Sequence, residues 1–251
     1  MYEGHKISVV LPTYKEKKSI RKVINSFFAT KFVDEVVVVN NNAEKGTDAE
    51  IKKTLPARAG KARLVYEPIQ GYGPAFRRAI KEAKGDWIIV SEPDGTFKGK
   101  DLERFLVYAK DYDVVLGTRT SQISAFSGFG MGIVRKFANV IEAKTIEVLF
   151  NSVALTDVGC AYKLFKKSSL KKIMPLWSNT KSALFNTELV LLTVSLKIPF
   201  VEIPITYQKR VGKSSVVGNW YHVIKWAIII QTYIFYFWIK YLILKKDKHK
   251  Q

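Results

Sequence analysis

The stretch Asp86-Trp87-Ile88-Ile89-Val90-Ser91-Glu92-Pro93-Asp94-Gly95 decides the fold and locates its chemistry. The apolar run 87–90 is bounded by turn residues, which predicts a buried strand that stops abruptly. Two carboxylates, Glu92 and Asp94, follow at its carboxyl end, where open α/β sheets bind ligands. Such hard oxygen ligands suit Mg²⁺ or Mn²⁺, which in turn would hold a diphosphate. A plain surface turn is the alternative, because Pro, Asp and Gly are common turn residues.

Strand and helix patterns alternate outward from this stretch. Buried-strand patterns occur at 7–11, 35–39, 62–66, 87–90 and 113–116, and helical patterns at 20–28, 49–55, from the glycine-rich segment 70–75 to 84, and at 102–109. This alternation predicts an α/β fold with a doubly wound, mostly parallel sheet.

The rhythm changes after 119. A stretch rich in Ser, Gly and Phe, 121–132, predicts a mobile loop; helices follow at 135–150 and 186–196, and a strand ends at 165. Pro204 interrupts the strand pattern 200–206, which predicts an edge strand, because proline cannot donate to a sheet ladder. The basic segment 209–215 predicts a flexible loop.

Composition narrows the function classes. The chain has 251 residues, of which 47% are hydrophobic, so it can bury a large core and is not disordered. Cys160 is the single cysteine, which excludes an intramolecular disulfide and fits a reducing, cytoplasmic setting. The formal net charge of +19 favours polyanions such as anionic lipid, phosphorylated substrates or nucleic acid. No nucleic-acid module accompanies the charge, so we predict no nucleic-acid partner.

The carboxyl-terminal segment predicts membrane association. The stretch 223–244 carries only Lys225 and Lys240 as charges. Its uncharged centre, 226–239, would be about 21 Å long as a helix, shorter than the roughly 30 Å of a hydrocarbon core. Tyr and Trp side chains suited to headgroup level flank it, and a lysine-rich tail follows. We predict a catalytic domain over 1–218 and an amphipathic or apolar membrane-associating helix with a basic tail over 219–251. An interfacial helix is preferred; a spanning helix and packing in the core or in a homo-oligomer are the alternatives.

Six short motifs together carry a resemblance. They are Pro12-Thr13-Tyr14-Lys15-Glu16, Gly71-Tyr72-Gly73-Pro74-Ala75, Glu92-Pro93-Asp94, Gly117-Thr118-Arg119, Asp157-Val158-Gly159-Cys160 and Arg210-Val211-Gly212-Lys213-Ser214-Ser215. In order and spacing the chain resembles family 2 glycosyltransferases of the A-type fold, especially the polyprenyl-phosphate sugar transferases related to dolichol-phosphate mannose synthase. The resemblance covers about Ile7 to Ser215.

The resemblance implies a role for each matching position. Donor binding falls to Pro12, Thr13, Tyr14, Glu16, Asn41, Gln70, Gly71, Gly73, Pro93 and Asp94. Glu92 and Asp94 would bind Mg²⁺ or Mn²⁺. The acceptor phosphate would meet Arg135, Arg210, Lys213 and Ser214, and the catalytic set would be Asp94, Asp157, Glu188 and Arg119. Structural roles are the alternatives: a strand end and helix start at 12–16, a loop before a helix at 70–75, a surface arginine at 119, a turn cap at Asp157 and a solvated helix residue at Glu188.

Two departures from the family pattern stand out. The family usually carries Asp-Asp after the second strand, where this chain has Asn40-Asn41-Asn42. An amide still hydrogen-bonds a ribose or a base but brings no charge. The family's metal motif usually begins with Asp, and here Glu92 takes that place.

The resemblance implies an inverting transfer from a UDP- or GDP-sugar to a membrane-associated acceptor, by one in-line displacement. A lipid phosphate is already a nucleophile at neutral pH, because its second pKa is near 6. The alternative acceptor is a sugar hydroxyl of a glycan or glycolipid, which requires a general base, and Asp157 and Glu188 are the candidates. A nucleotidyltransferase and a nucleic-acid-binding protein are the less favoured classes.

Overall fold

The computed structural model describes residues 1–55, 60–121, 132–212 and 220–248, with side chains described up to 244 apart from Trp220. Most of the predicted mobile loop 121–132, the predicted domain boundary after 218, Lys213 and Ser214 therefore lie outside the described residues.

The elements follow the predicted alternation. The strands are β1 (Ile7–Thr13), β2 (Glu35–Asn40), β3 (Ala62–Tyr66), β4 (Trp87–Val90), β5 (Val114–Thr118), β6 (Lys163–Lys166) and β7 (Phe200–Pro204). The helices are α1 (Ile20–Phe28), α2 (Thr47–Lys52), α3 (Tyr72–Glu82), α4 (Leu102–Tyr108), α5 (Ile133–Phe150), α6 (Lys167–Ile173), α7 (Leu184–Ser195) and α8 (Trp220–Lys248). Short 3₁₀ turns, Gly99–Asp101 and Met174–Leu176, precede α4 and follow α6.

In the described part of the chain the strands form one 7-stranded sheet in the order β3-β2-β1-β4-β6-β5-β7. β1 pairs parallel with both β2 and β4, so the carboxyl ends of these three strands lie at one edge. β7 is an edge strand, as Pro204 predicted. The mostly parallel α/β fold is confirmed.

One strand runs against the rest. β6 lies between β4 and β5 and is antiparallel to both. The sequence predicted a strand ending at Phe165 but not this central antiparallel place. The apolar pattern of a four-residue strand is the same whether the strand pairs parallel or antiparallel. Its direction in the sheet is set by the connections before and after it.

Both faces of the sheet are covered. One core cluster holds Val10, Val37 and Val90 under α3, α5 and α7; the other holds Val9, Val38 and Ile89 under α1 and α4. Alternate residues of each strand enter opposite clusters, which is why these strands read as continuous apolar runs. Helix α6 was not predicted, because Lys167–Ile173 has too few apolar residues to show a period.

Helix α8 packs one face on the domain and exposes an apolar face. Ile234 is fully buried, and Ile230, Tyr233 and Phe237 pack against the first cluster. The exposed apolar side chains are Tyr221, Ile224, Ile228, Phe235, Tyr236, Ile239, Leu242, Ile243 and Leu244. Within the described residues, Tyr221–Leu244 is the one helix whose length and composition would allow it to cross a membrane, with a mean hydropathy of 1.6.

Candidate functional site

A cavity of about 140 Å³, the strand-end cavity, opens where β1, β2 and β4 end. Its lining comprises Pro12, Thr13, Tyr14, Glu16, Asn41, Gln70, Gly71, Tyr72, Ala75, Phe76, Glu92, Pro93 and Arg210. Eight of the ten predicted donor-binding residues lie in this wall; Gly73 and Asp94 lie outside it. Parallel strands bring together residues that are up to 80 positions apart in the chain.

Glu16 orders the turn that follows β1. Its Oε2 accepts hydrogen bonds from the amides of Tyr14 and Lys15 at 2.7 and 2.9 Å and from Thr13 Oγ1 at 3.2 Å. Its Oε1 lies 2.9 Å from Nη2 of Arg210. One carboxylate thus holds the turn and ties it to the distant segment that carries Arg210.

Asn41 organises the opposite wall. Its Nδ2 donates to the carbonyls of Glu67 and Ile69, both at 2.8 Å. Its Oδ1 accepts from the amide of Gly71 at 2.9 Å and from Gln70 Nε2 at 3.2 Å. The carbonyl partners fix which end of the amide is nitrogen. Asn41 therefore uses both amide donors on the 67–71 loop, a task that a carboxylate cannot perform.

The two glycines at the start of α3 make room for protein. A Cβ on Gly73 would lie 2.1 Å from the carbonyl oxygen of Thr180, and one on Gly71 would lie 2.5 Å from that of Lys181. Gly71 also has φ of 147°, which disfavours other residues. Gly73 therefore allows segment 178–181 to pack closely against the start of α3.

Glu188 holds the same segment. Its carboxylate accepts hydrogen bonds from the amide and the hydroxyl of Ser178. Burial raises the pKa of Glu188, while the Ser178 hydrogen bonds and the charge of Arg77 oppose the rise. Glu188 lines neither the strand-end cavity nor the cavity described next. Its contacts fit a positioning role for segment 178–181.

A larger cavity of about 420 Å³, the helix-side cavity, adjoins the first. Its lining includes Tyr72, Glu92, Asp94, Thr96, Arg119, Arg135, Asn139, Glu142, Asn186, Thr187, Lys209 and Arg210, with Val223, Trp226, Ala227 and Ile230 of α8. Tyr72, Glu92 and Arg210 line both cavities. The two spaces therefore meet at Glu92, one of the two predicted metal ligands.

Glu92 lies at the boundary between the cavities, and Asp94 lies on the helix side of it. Asp94 Oδ1 accepts from the amide and the hydroxyl of Thr96 at 2.9 and 2.6 Å, and its Oδ2 lies 2.9 Å from Nη1 of Arg210. Burial and the charge of Asp94 raise the pKa of Glu92 to about 7. This repulsion between neighbouring carboxylates is relieved by a cation.

The donor set fits a divalent ion that shares its shell with a substrate. The described residues contain no group of three or more His, Cys, Asp or Glu side chains that could hold a metal. Two carboxylates with the rest of the shell supplied by phosphates and water are the usual protein contribution to Mg²⁺ sites. Glu92 and Asp94 match that pattern.

Arg119 and Asp157 form a buried ion pair. Nε and Nη2 of Arg119 contact the two carboxylate oxygens of Asp157, each at 2.8 Å, and the Arg119 amide donates to Oδ2 at 2.9 Å. The Asp157 side chain is 0% exposed and the Arg119 side chain 11%. Arg119 lines the helix-side cavity and Asp157 does not. Asp157 thus fixes the direction of the arginine, and both its oxygens are engaged.

Sequence reasoning missed several residues of the helix-side cavity. Asn139 and Glu142 belong to the buried face of α5, together with Ala143 and Ile146. The sequence did show two polar residues, Asn139 and Glu142, at the helical spacing of the buried Ala143 and Ile146, and this pattern could have pointed to them. Asn186 accepts a hydrogen bond from the buried Lys163, and burial lowers the pKa of this lysine to about 8.

Comparisons with known proteins agree with this geometry. The model of the family described as "Glycosyl transferase family 2" matches residues 8–174. Dolichyl-phosphate beta-glucosyltransferase of Saccharomyces cerevisiae is 23% identical, over 82% of this chain and 68% of that protein. The Drosophila melanogaster protein of that name is 23% identical, over 94% and 76%. Low-salt glycan biosynthesis hexosyltransferase Agl6 of Haloferax volcanii is 25% identical, over 91% of this chain and 55% of that protein.

Solved structures share the fold. Glucosyl-3-phosphoglycerate synthase from Mycobacterium tuberculosis, in complex with Mn²⁺, UDP and phosphoglyceric acid, superposes with a TM-score of 0.65 at 14% identity. That match covers 95% of this chain and 78% of the other. A second structure of that synthase, with Mn²⁺ and UDP-glucose, has a TM-score of 0.62 at 15% identity, over 84% and 73%.

Proposed function

This chain belongs to glycosyl transferase family 2, and from that premise we propose that it moves a hexose from a nucleotide diphosphate sugar to a polyprenyl phosphate at a membrane surface. One observation carries the proposal: the strand-end and helix-side cavities meet at Glu92 and Arg210. A donor bound in the first and an acceptor phosphate bound in the second would face each other there. The names of the yeast and fly relatives support a phosphorylated polyprenol as the acceptor.

The strand-end cavity is the donor site of this proposal. The Glu16-ordered turn and the Asn41-ordered loop form opposite walls between which a nucleoside would lie. Gly71, Gln70 and Pro93 line the same space. UDP-glucose is the first donor to test, because the yeast relative is a glucosyltransferase and the matching synthase was solved with UDP-glucose.

Glu92 and Asp94 would hold a divalent cation, Mg²⁺ or Mn²⁺, beside the donor diphosphate. When bound, the ion would act as a Lewis acid for the departing nucleoside diphosphate. Arg210, which contacts Asp94, would add positive charge at the same place. Thr96 keeps the Asp94 carboxylate oriented through its two hydrogen bonds.

The helix-side cavity is the acceptor site. Arg119 and Arg135 line it, and Asp157 holds Arg119 in place. Within the described residues Arg135 makes no ion pair, and its buried Nε has no hydrogen-bond partner, so its charge is available to a phosphate. The phosphate oxygen would attack the anomeric carbon in line with the departing diphosphate and invert the configuration. Lys213 and Ser214 remain predicted acceptor residues outside the described part.

The hydroxyl-acceptor alternative has weaker support. It needs a general base, and the predicted candidates are Asp157 and Glu188. Both oxygens of Asp157 contact Arg119, and both oxygens of Glu188 contact Ser178. A lipid phosphate needs no such base, because it is anionic at neutral pH. We therefore favour the phosphate acceptor.

Helix α8 would place the acceptor site at the membrane. It lies along α5, with Gln231 Nε2 donating to Thr145 at 2.9 Å and the Tyr241 ring 5.4 Å from Phe150. A spanning α8 would draw the exposed lysines of α5 into hydrocarbon, at a cost of about 3 kcal/mol each at the membrane centre. An interfacial helix avoids that cost, so we propose that α8 lies on the cytoplasmic membrane surface.

The test is transfer of labelled sugar. The full chain is incubated with Mg²⁺ or Mn²⁺, vesicles containing polyprenyl phosphate and, in turn, each of a panel of UDP- and GDP-sugars. We expect one donor to be consumed and its label to enter an organic-extractable lipid. Asp94→Ala should abolish transfer, and chelation should abolish it reversibly.

The control variant is Asp111→Ala, which removes an exposed acidic side chain that lies outside both cavities. It should keep full transfer. Consumption of the donor only after addition of a glycan or glycolipid hydroxyl would replace the acceptor class. The absence of turnover with every nucleotide sugar would refute the proposal.

A further inference from the structure

A buried carboxylic acid stands between the helix-side cavity and a second, apolar space. The apolar groove, about 480 Å³, runs between α5 and α8, and its walls include Phe137, Ile141 and Glu142 of α5 and Ile224, Ile228 and Phe235 of α8. Ala138, Glu142, Val223 and Ala227 line both the groove and the cavity. Among the described residues, Glu142 is the only acidic one in the groove wall, and it marks the point where a polar space becomes apolar.

Glu142 has no partner that would hold it as an anion. Glu142 is 3% exposed, and within the described residues its side chain makes no hydrogen bond or ion pair. Arg119, the nearby cation, is already engaged by Asp157. Arg135 lies two helical turns earlier on α5, about 10 Å away along the helix axis, beyond the reach of an ion pair.

Burial is the main cause that favours the neutral form of Glu142. Burial and the negative charge of Asp157 raise the pKa of Glu142 to about 8, and Arg119 opposes the rise. Across the same cavity lie two more carboxylates and three further cations: Glu92, Asp94, Arg135, Lys209 and Arg210. The residues that α8 contributes to the cavity are uncharged. At neutral pH the side chain is therefore mainly a carboxylic acid, which can donate a hydrogen bond.

We propose that Glu142, as a neutral acid, donates a hydrogen bond to the phosphate of the acceptor at the point where its apolar chain leaves the helix-side cavity for the α5–α8 groove. This inference rests on the proposed function and adds a binding residue to its acceptor site. An ionised Glu142 would face the acceptor phosphate with a like charge. Loss of the Glu142 proton therefore removes the hydrogen bond and adds repulsion. It weakens binding of the acceptor and leaves donor binding and the chemical step unchanged.

The test separates acceptor binding from every other step. KM for polyprenyl phosphate in vesicles, KM for the donor and kcat are measured from pH 7 to pH 9 with the full chain and the donor identified by the transfer assay. The comparison is between wild type and Glu142→Gln, which keeps the shape and a hydrogen-bond donor but cannot ionise. Glu92, Lys163 and the acceptor phosphate titrate equally in both proteins, so the ratio of the two KM values reports Glu142.

We expect the ratio of acceptor KM, wild type over Glu142→Gln, to rise about tenfold between pH 7 and pH 9, as follows from a single ionisation near 8. The ratio of donor KM should stay constant. Glu142→Leu should raise acceptor KM about tenfold at pH 7, since it removes one hydrogen bond. Glu103→Gln, an exposed acid on α4, should match wild type at each pH.

Three results would overturn the inference. The first is an acceptor KM ratio that does not change with pH. The second is equal acceptor KM for Glu142→Leu and Glu142→Gln, which would show that no hydrogen bond is made. The third is a kcat that rises with pH in wild type but not in Glu142→Gln, which would make Glu142 a general base. If Glu142→Gln does not fold, Glu142→Leu takes its place as the variant that cannot ionise, and a ratio of wild-type to variant acceptor KM that is constant with pH refutes the inference. Failure of all transfer to polyprenyl phosphate would instead refute the proposed function, and this inference with it.

Discussion

Replacement of Asn41 by aspartate is the sharpest test of how the donor-side wall is built. The change restores the residue type that the family usually carries, and it is nearly isosteric. It removes the two N–H groups of Nδ2 that bond the carbonyls of Glu67 and Ile69, and it places one carboxylate oxygen 2.8 Å from each of those carbonyls. We therefore expect the family-like residue to be harmful here.

The magnitude follows from two lost hydrogen bonds. A buried acceptor left without its donor costs about 1–3 kcal/mol, and two cost about 2–6 kcal/mol. Ile69 is exposed and the loop can admit water, so we expect the lower part of that range, about 2–3 kcal/mol of the free energy of unfolding. Donor KM should rise as well, because the 67–71 loop forms one wall of the strand-end cavity.

Urea denaturation and donor KM measure the effect. The new carboxyl would be destabilised as an anion, so its folded-state pKa would lie above its unfolded value. The stability of a protein with such a group is highest below the pKa that the group has in the unfolded state. It falls as the pH rises through the pKa that the group has in the folded state. The penalty should therefore be smaller at pH 5 than at pH 8.

Asn42→Asp is the matched control. Asn42 makes one 3.2 Å bond to the Pro68 carbonyl and has φ of 55°, a conformation that Asp tolerates. It should cost less than about 1 kcal/mol. An Asn41→Asp protein as stable as wild type, or one with a lower donor KM, would refute this account of the wall.

Three further predictions follow from single contacts. Asp157→Asn leaves the buried Arg119 without its counter-charge and should lower the free energy of unfolding by about 3–5 kcal/mol, measured by urea melts. It should also move the pH dependence of acceptor KM to lower pH, because the charge of Asp157 raises the pKa of Glu142. Gly73→Ala would drive a methyl group into the Thr180 carbonyl and should cost about 1–3 kcal/mol and raise donor KM. Ile228→Glu, on the exposed face of α8, should weaken vesicle binding about 30-fold in co-sedimentation, since burying such a side chain is worth about 2 kcal/mol.

Each of these has a contradicting outcome. A large loss of kcat in an Asp157→Asn protein that is as stable as wild type would return that residue to the role of general base. Unchanged donor KM in Gly73→Ala would separate segment 178–181 from the donor site. Vesicle binding that survives Ile228→Glu would move the membrane contact away from the exposed face of α8.

The donor side of the site was predictable because it depends on local signals. Thr13, Asn41 and Glu92 each follow a recognisable strand, and parallel strands align their carboxyl ends without any further information. The register of β1 with β2 and β4 then places these side chains around one cavity. The fold class and the lining of the strand-end cavity follow from that rule.

The acceptor side was less predictable because long-range packing builds it. Glu142 and Asn139 reach the cavity only because α8 closes over α5, and no local pattern states that contact. The sequence also does not show which carboxylates are already bound to a partner in the folded protein. Asp157 is bound by Arg119, 38 positions away, and Glu188 by Ser178, 10 positions away. Both were reasonable candidates for a general base until their partners were known.

The net charge of +19 is a property of the surface rather than of the site. Arg119 is neutralised by Asp157, and Arg210 contacts both Glu16 and Asp94. Exposed cations on α5 and α8 show where the part of the surplus beside the proposed membrane contact lies: Lys136, Lys225 and Lys240. Charges on a surface act within a Debye length of about 8 Å at physiological salt, and each is worth about 1 kcal/mol beside anionic lipid. We infer that the surplus charge strengthens attachment to the membrane, while paired arginines set the local field in which the phosphates meet.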